Sequence, residues 1–366
     1  MTTLVITNDF GPRIGGIETF NAAVCDWLGE VIVLTARQPG SAAHDAELAY
    51  PVERIPGPRL SGGGRCRQPT LLPGRAVAGA AAELIRRRAI ERVVISAAAP
   101  LGLLAPALRR AGARRIVALS HGHEAWWARL PGTRHALRRI VAGVDAFGVI
   151  SSWTREAIAA VLPPAGRAKV IMVPPPVAPE FFAIDRRPAT TVRCLAAGRF
   201  VAQKGFGTLL DAWRLLGDHA PPLTIAGSGP LDHRLRRRAG ERVAFAGAVD
   251  RGRMPALLAE HDLFLAPVRR AAAGLVQEGF GLALAEAAAA GMAVIGTRTG
   301  GVPDIVEHGR TGWLVEPGDP RALARMIPEV CSAPDALIAA GHRGRTHARR
   351  FDGAAQRQEL FGALAG

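Results

Sequence analysis

Short apolar runs recur along the chain, and a stretch of helical period follows most of them. In the first half they are "LVIT" (4–7), "VIVLT" (31–35), "RVVISA" (92–97), "RIVALS" (115–120), "AFGVIS" (146–151) and "KVIMVP" (169–174). Helical stretches such as "RAVAGAAAELIRRRA" (75–89) lie between them. Short continuous runs of β-branched residues, alternating with helices, predict strands of a parallel sheet covered on both faces. "VPPPVAPEFF" (173–182) and "DRRPATT" (185–191) break the rhythm. Proline continues neither element, so a linker is expected near 174–190. A second set follows: "VRCLAAG" (192–198), "PLTIAG" (222–227), "VAFAG" (243–247), "DLFLAP" (262–267), "AVIGT" (293–297) and "GWLV" (312–315).

The expected class is therefore α/β, with two Rossmann-like doubly wound domains over 1–182 and 190–346. A last helix, about 347–366, is free to pack back on the first domain. Two such domains would face each other across a cleft at their strand carboxyl ends, where open sheets of this kind bind ligands. The length of 366 residues fits two domains at about 100–200 residues each. "SGGGRCR" (61–67) and "RRAAAG" (269–274) read as loops.

Charge adds a direction. The net charge is +15, shared about evenly between the halves, and favours acidic partners such as nucleotides, phosphorylated substrates or an anionic membrane face. Almost every cation is arginine; only Lys169 and Lys204 are lysine. Lys169, just before a strand, reads as a solvated residue. Lys204 is kept beside a glycine, where a compact ammonium suits a site that a planar guanidinium does not fill. The cysteines Cys25, Cys66, Cys194 and Cys331 form no CxxC or Cys/His cluster, which argues against disulfide or zinc frameworks and for a reducing cytosol. The chain enters a strand at once, with no leader visible, and no uncharged apolar run reaches about 18 residues.

Four stretches carry candidate chemistry. In "TNDFGPRIGGIETF" (7–20), Gly15 and Gly16 stand where a helix should begin. Bare backbone at a helix N-terminus can receive an anion; an ordinary strand–helix turn is the other reading. In "AAGRFVAQKGFGTLLDAW" (196–213), Arg199 and Lys204 follow a strand and could neutralise a diphosphate. In "QEGFGLALAEAAAAGMAVIG" (277–296), Glu278 and Glu286 flank a glycine-containing turn within an almost uncharged stretch. Carboxylates buried there need partners. In "SHGHEAWW" (120–127), His121 and His123 follow a strand. No further ligand completes a metal set, so His121 is read as lining the cleft and no metal is expected.

Together these stretches resemble the retaining glycosyltransferases of the GT-B fold, family four, through the R-x4-K pair (Arg199, Lys204) and the E-x7-E pair (Glu278, Glu286). Within that family "TNDFGPRIGGIETF", "SAAAPLGLLAPALRRAGARRIVALSHGHE" and "GLVQEGFGLALAEA" are most similar to the GDP-mannose-dependent mannosyltransferases that extend phosphatidylinositol mannosides. The resemblance implies an acceptor domain first and a nucleotide-sugar domain second. It implies that Arg199 and Lys204 hold the donor diphosphate, and that Glu278 with the backbone of Gly279, Phe280, Gly281 and Leu282 holds the transferred sugar. Glu286 would hold the ribose and Val249 would lie against the base. Gly15 and Gly16 would border the phosphate, and His121 would line the sugar.

No D-x-D occurs, so the two cations would replace a metal, and no cofactor beyond the nucleotide-sugar is implied. The resemblance further implies same-face attack assisted by the leaving diphosphate, a glycolipid acceptor, and peripheral attachment to the inner face of an anionic membrane. Gln277 stands where the mannosyltransferases tend to carry an acid.

A UDP-sugar-dependent transferase with another acceptor remains open on the residues. A dehydrogenase is disfavoured because G-x-G-x-x-G is absent. A non-enzymatic nucleic-acid binder is disfavoured because the arginine clusters lack aromatic neighbours and only one tyrosine is present.

Overall fold

The computed structural model describes residues 1–13, 15–60, 68–186, 191–271 and 277–365. The loop expected at 61–67, residues 272–274 of the second loop and residues 187–190 of the linker lie outside the described residues. The chain divides into two units, Met1–Pro176 with Ala354–Gly366, and Val177–Gly353.

The first unit is built on β1 (Thr3–Ile6), β2 (Val31–Ala36) and β3 (Val52–Ile55), then a small antiparallel pair, β4 (Arg59–Leu60) and β5 (Gln68–Pro69). β6 (Arg92–Ile95), β7 (Arg115–Leu119), β8 (Ala146–Val149) and β9 (Val170–Met172) follow. Its main sheet runs β3-β2-β1-β6-β7-β8-β9, all parallel. β1, β2 and β8 are buried at every residue, the pattern that a sheet covered on both faces requires. The chain builds outward from β1 to β3, then returns to lay β6 on the other side of β1. That reversal opens a ligand crevice beyond Ile6 and Ile95, which are register partners. β3 escaped the sequence reading because "VERI" is a half-exposed edge strand with no continuous apolar run.

The last helix, Ala354–Ala365, belongs to this unit and touches β7 and β9, with Leu360 and Leu364 buried. Lys169 is not merely solvated. Its Nζ donates to the carbonyls of Val141 (3.3 Å), Ala142 (3.0 Å) and Val144 (2.7 Å), closing the carboxyl end of the helix Pro131–Gly143. A cation there satisfies orphan carbonyls and suits the helix dipole.

The second unit repeats the plan with β10 (Cys194–Ala197), β11 (Leu223–Ala226), β12 (Val243–Gly247), β13 (Leu263–Leu265), β14 (Ala293–Thr297) and β15 (Trp313–Val315). The order is β12-β11-β10-β13-β14-β15, all parallel, with the reversal between β10 and β13. The proline-rich segment is only partly a linker. Pro179–Phe182 is a helical turn that starts on proline, buries Phe181 and Phe182, and packs on the helix Leu282–Ala289. Proline suits the first turn of a helix, where its missing N–H costs nothing. The described cysteines are free thiols, and Cys194 and Cys331 hydrogen-bond each other across the second unit's core.

Replacing Lys169 by Ala should weaken the last turn of Pro131–Gly143 by about 1 kcal/mol. Faster amide hydrogen exchange at that turn checks it. Unchanged exchange would mean that solvent caps those carbonyls equally well.

Candidate active site

Both reversal points carry clustered polar side chains. In the first unit Thr7 follows β1 and Ser96 follows β6. The Thr7 hydroxyl donates to the Ser96 carbonyl (2.9 Å). Asn21, fully buried on the helix Gly16–Leu28, donates to the Thr7 hydroxyl (2.9 Å) and the Asp9 carbonyl (2.5 Å), and it accepts from the Ser96 hydroxyl. The loop after β1 is thus fixed to the helix behind it.

His121 stands two residues past β7. Its Nε2 lies 3.0 Å from the Ser96 carbonyl, which can only accept, so the ring proton sits on Nε2. Burial lowers the imidazole's pKa, which keeps the ring neutral at physiological pH with Nδ1 as the acceptor atom. Phe20 meets the ring edge to face at 5.7 Å. Glu124, fully buried, accepts from the backbone N–H of His121 (3.0 Å) and of Ala99 (3.3 Å). It therefore holds the loop on which His121 is presented. His123 approaches the Ala99 carbonyl at 3.2 Å rather than pairing with His121.

The glycine pair has a specific geometry. Gly15 is the N-cap of Gly16–Leu28, and no side chain caps the helix. Its φ of −179° is extended backbone, so conformation alone does not demand glycine. Packing does not demand it either: a Cβ on Gly15 would lie 2.5 Å from a Glu18 carboxylate oxygen, the movable end of that side chain. Glu18 in turn lies 3.5 Å from Arg13, which also reaches Asp9 at 3.4 Å. The helix N-terminus already has a carboxylate beside it and a guanidinium within reach, the surroundings of an anion site.

In the second unit the loop after β10 brings Lys204 to Glu278, Nζ to Oε2 at 2.5 Å, with both side chains largely shielded. Gly205 has φ +71°, and a Cβ there would meet the Pro267 carbonyl at 1.7 Å, so only glycine lets this loop lie against the end of β13. The Lys204 stem runs along Gly198, where an added Cβ would sit 3.6 Å from its Cδ and Cε. Glu278 is held by its backbone: its carbonyl accepts from Gly301 N–H (3.0 Å). An open hollow of about 350 Å³ adjoins the pair, lined also by Ala197, Pro267, Gly281 and Leu284. Arg199 is exposed on the same loop.

The helix Leu282–Ala289 starts at Gly281, which caps it with φ +105° and no side chain. Gly279 and Leu282 are half-buried there, while Phe280 turns its ring inward onto Phe351 at 5.0 Å. Phe280 can therefore serve a ligand through its backbone alone. Glu286, one turn further along, is 7% exposed. Its partner is Arg251, Nη1 to Oε1 at 3.3 Å, whose guanidinium also lies 5.6 Å over the Phe181 ring. Burial raises the Glu286 carboxyl to about 7; Arg251 opposes the shift and Glu180 adds to it. A buried carboxylate with one single-contact partner is under-satisfied, which marks a site awaiting donors. Val249 is half-buried two residues before Arg251.

The sequence placed Lys204, Glu278, Glu286 and His121 but not what holds them. Asn21, Ser96 and Arg251 were missed because each acts across contacts between distant segments, and Glu124, inside "SHGHEAWW", because its burial and its reach to Ala99 are set by the fold. The only signal was the rule that buried carboxylates need partners, and Arg251 answers it for Glu286. Among the described residues no group of three or more His, Cys, Asp or Glu side chains could hold a metal ion.

Comparison with known proteins gives this geometry its family. Residues 14–181 match the profile described as Glycosyltransferase Family 4, and residues 191–332 match that of Glycosyl transferases group 1. The GDP-mannose-dependent alpha-(1-6)-phosphatidylinositol monomannoside mannosyltransferase of Mycolicibacterium smegmatis is 36% identical over 366 residues, covering 93% of this chain and 92% of the relative. The chain belongs to glycosyltransferase family 4. A Corynebacterium glutamicum relative, named as acting on the monoacylated form of that acceptor, is 34% identical over 94% of this chain and 92% of its own length. Anabaena HepE, solved in complex with UDP, superposes with a TM-score of 0.77 at 19% identity, over the whole of both chains. That likeness shows the fold, GT-B.

The raised Glu286 carboxyl makes the stability of this glycosyltransferase pH-dependent. The folded form holds the proton up to about pH 7, whereas an unfolded glutamate, at 4.5, releases it earlier. Burying Glu286 thus costs stability increasingly as pH rises through this window. Glu286→Gln has no such titration. Its stability relative to wild type should rise by about 2–3 kcal/mol between pH 5 and pH 8, measured by denaturant unfolding at each pH. A pH-independent difference would contradict the burial argument.

Proposed function

We propose that this enzyme transfers mannose from GDP-mannose, with retention, to a phosphatidylinositol mannoside-type glycolipid. The observation that carries the reading is the Lys204–Glu278 pair beside the hollow at the β10–β13 reversal. An ammonium and a carboxylate in contact match the two ends of a sugar diphosphate. Lys204, with Arg199, takes the phosphate oxygens; Glu278 and the backbone of Gly279, Phe280, Gly281 and Leu282 take sugar hydroxyls. Glu286 accepts from the ribose, and Val249 lies against the base. In the first unit Gly15 and Gly16 offer bare backbone to phosphate, and neutral His121 accepts from a sugar hydroxyl. Full-length mannosyltransferase relatives at 34–37% identity support the donor and acceptor classes.

The step breaks the anomeric C–O bond to the diphosphate and forms a C–O bond to the acceptor hydroxyl on the same face. The acceptor proton passes to the departing phosphate oxygen, whose charge Arg199 and Lys204 stabilise as it develops. The nucleotide-sugar is a substrate, and no cofactor is called for.

Incubation with radiolabelled GDP-mannose and UDP-glucose, each with a lipid extract, tests donor and acceptor together. Label should enter the lipid fraction from GDP-mannose alone. Lys204→Arg, though charge-preserving, should lose about 10²-fold or more in turnover, because leaving-group stabilisation acts in the transition state. Lipid labelling from UDP-glucose instead, or near wild-type turnover of Lys204→Arg, would contradict the reading.

The acceptor's home is the inner face of an anionic membrane, and we place this enzyme there peripherally. Among the described residues no helix is long and apolar enough to cross a membrane. Leu130 (43% exposed) precedes the helix Pro131–Gly143, which carries exposed Arg138 and Arg139 and packs beside exposed Leu103. The Trp126 and Trp127 rings stand 5.8 Å apart just before it. Exposed apolar side chains among arginines suit an anionic bilayer surface. Sedimentation should recover the protein with anionic vesicles and not neutral ones, and salt should release it. Equal, salt-insensitive recovery with both would overturn the assignment.

A further inference from the structure

The loop after β1 carries Arg13 and leads to Gly15, and three side chains hold its backbone. The Asn8 carbonyl accepts from Arg13 (3.2 Å), the Asp9 carbonyl from Asn21 (2.5 Å) and the Gly11 carbonyl from Arg54 (2.6 Å). Arg13 belongs to the loop itself, and Asn21 stands on the helix behind it. Arg54 comes from β3, the edge strand two places from β1. It ties the loop to the edge of the sheet.

The Arg54 side chain is 6% exposed. Its Nε and Nη2 donate to the two carboxylate oxygens of Asp45, at 2.7 Å and 2.9 Å, the parallel fork that holds a guanidinium in one orientation. Asp45 sits on the short helix Ser41–Ala46, between β2 and β3. So oriented, Nη1 donates to the carbonyl of Ala36, the last residue of β2 (3.0 Å), and Nη2 also reaches Gly11. The guanidinium carbon lies 5.9 Å over the Phe10 ring, beside that carbonyl. One side chain thus joins the carboxyl ends of β3 and β2 to the loop that leaves β1. Stability alone does not account for such a pair, since apolar side chains of similar volume often replace a buried ion pair without loss. They do not replace the donor to the Gly11 carbonyl.

We propose that Arg54, oriented by Asp45, is a positioning residue for the transfer step: through the Gly11 carbonyl it fixes the loop that carries Arg13 and starts the helix at Gly15. The proposal rests on the reading in which the Gly15–Gly16 backbone meets phosphate.

The test compares Arg54→Met alone with Arg54→Met combined with Asp45→Leu, both in the full chain. The single variant leaves Asp45 without its cation and should melt lower. The double variant removes both charges and should recover most of that loss. Mannose transfer from GDP-mannose to a lipid extract should nevertheless stay about tenfold or more below wild type in kcat in both. GDP affinity, by calorimetry, should change less than about threefold, because Lys204, Glu278 and Glu286 stand in the second unit. Amides of Phe10, Gly11 and Arg13 should exchange with solvent faster in both variants. Recovery of kcat together with melting temperature in the double variant would make Arg54 a stability element only and overturn the proposal. Unchanged exchange in the loop, or GDP affinity lost along with kcat, would overturn it too. A wild type that transfers no mannose would overturn the reading of the reaction and the proposal with it, whereas an active wild type with an equally active double variant overturns the proposal alone.

Discussion

The ammonium–carboxylate contact between Lys204 and Glu278 joins two loops that the chain sets 74 residues apart. One follows β10 and the other leads into Leu282–Ala289, so the contact ties the crossover point of the sheet to the helix N-terminus beside it. Breaking a shielded pair by removing one partner costs more than making it gains, since the survivor is left charged and partly desolvated. Both loops are built to bring the pair together: Gly205 lets the first pass the Pro267 carbonyl, and Gly300 lets Glu278's own carbonyl approach, since a Cβ there would meet it at 1.9 Å. The pair also makes chemical sense of a ligand-binding role. A sugar diphosphate replaces each partner with an equivalent one, phosphate for carboxylate and hydroxyls for ammonium. The site then exchanges contacts instead of desolvating fresh charge.

Glu286 shows the same economy at lower satisfaction. Its carboxylate is more buried than Glu278's and rests on one contact to Arg251, so its proton affinity is raised. In the first unit the groups behind His121 instead engage one another. Thr7, Asn21 and Ser96 form a closed hydrogen-bond set, and Glu124 spends its oxygens on backbone N–H groups. Such a set fixes His121 without charging it. One unit therefore holds a rigid neutral acceptor and the other holds charges in waiting, a division suited to a sugar and to a nucleoside diphosphate respectively.

Most of the fold could be read from the sequence because parallel strands buried on both faces appear as continuous apolar runs. That signal fails where burial is partial: β3 is a half-exposed edge strand, and two charged residues at its centre leave no continuous apolar run. It also fails where a residue has two physical uses. Prolines near 174–180 read as linker, yet Pro179 starts a helical turn that buries two phenylalanines. Lys169 read as solvated, yet it closes a helix. At the site, the R-x4-K and E-x7-E spacings are local and therefore legible. The supports are not local: Ser96 reaches back to Asn21 across 75 residues, and Arg251 reaches forward to Glu286 across 35. Spacing along the chain carries no trace of such contacts, because the sheet reversals create them.

In the proposed function the Lys204–Glu278 pair receives the donor's diphosphate and sugar. A crystal structure with GDP bound measures it directly. The account predicts that Lys204 Nζ leaves Glu278 for a phosphate oxygen, at about 2.7–3.0 Å, while Glu286 accepts from the ribose. An intact Lys204–Glu278 contact with the diphosphate bound elsewhere would contradict it.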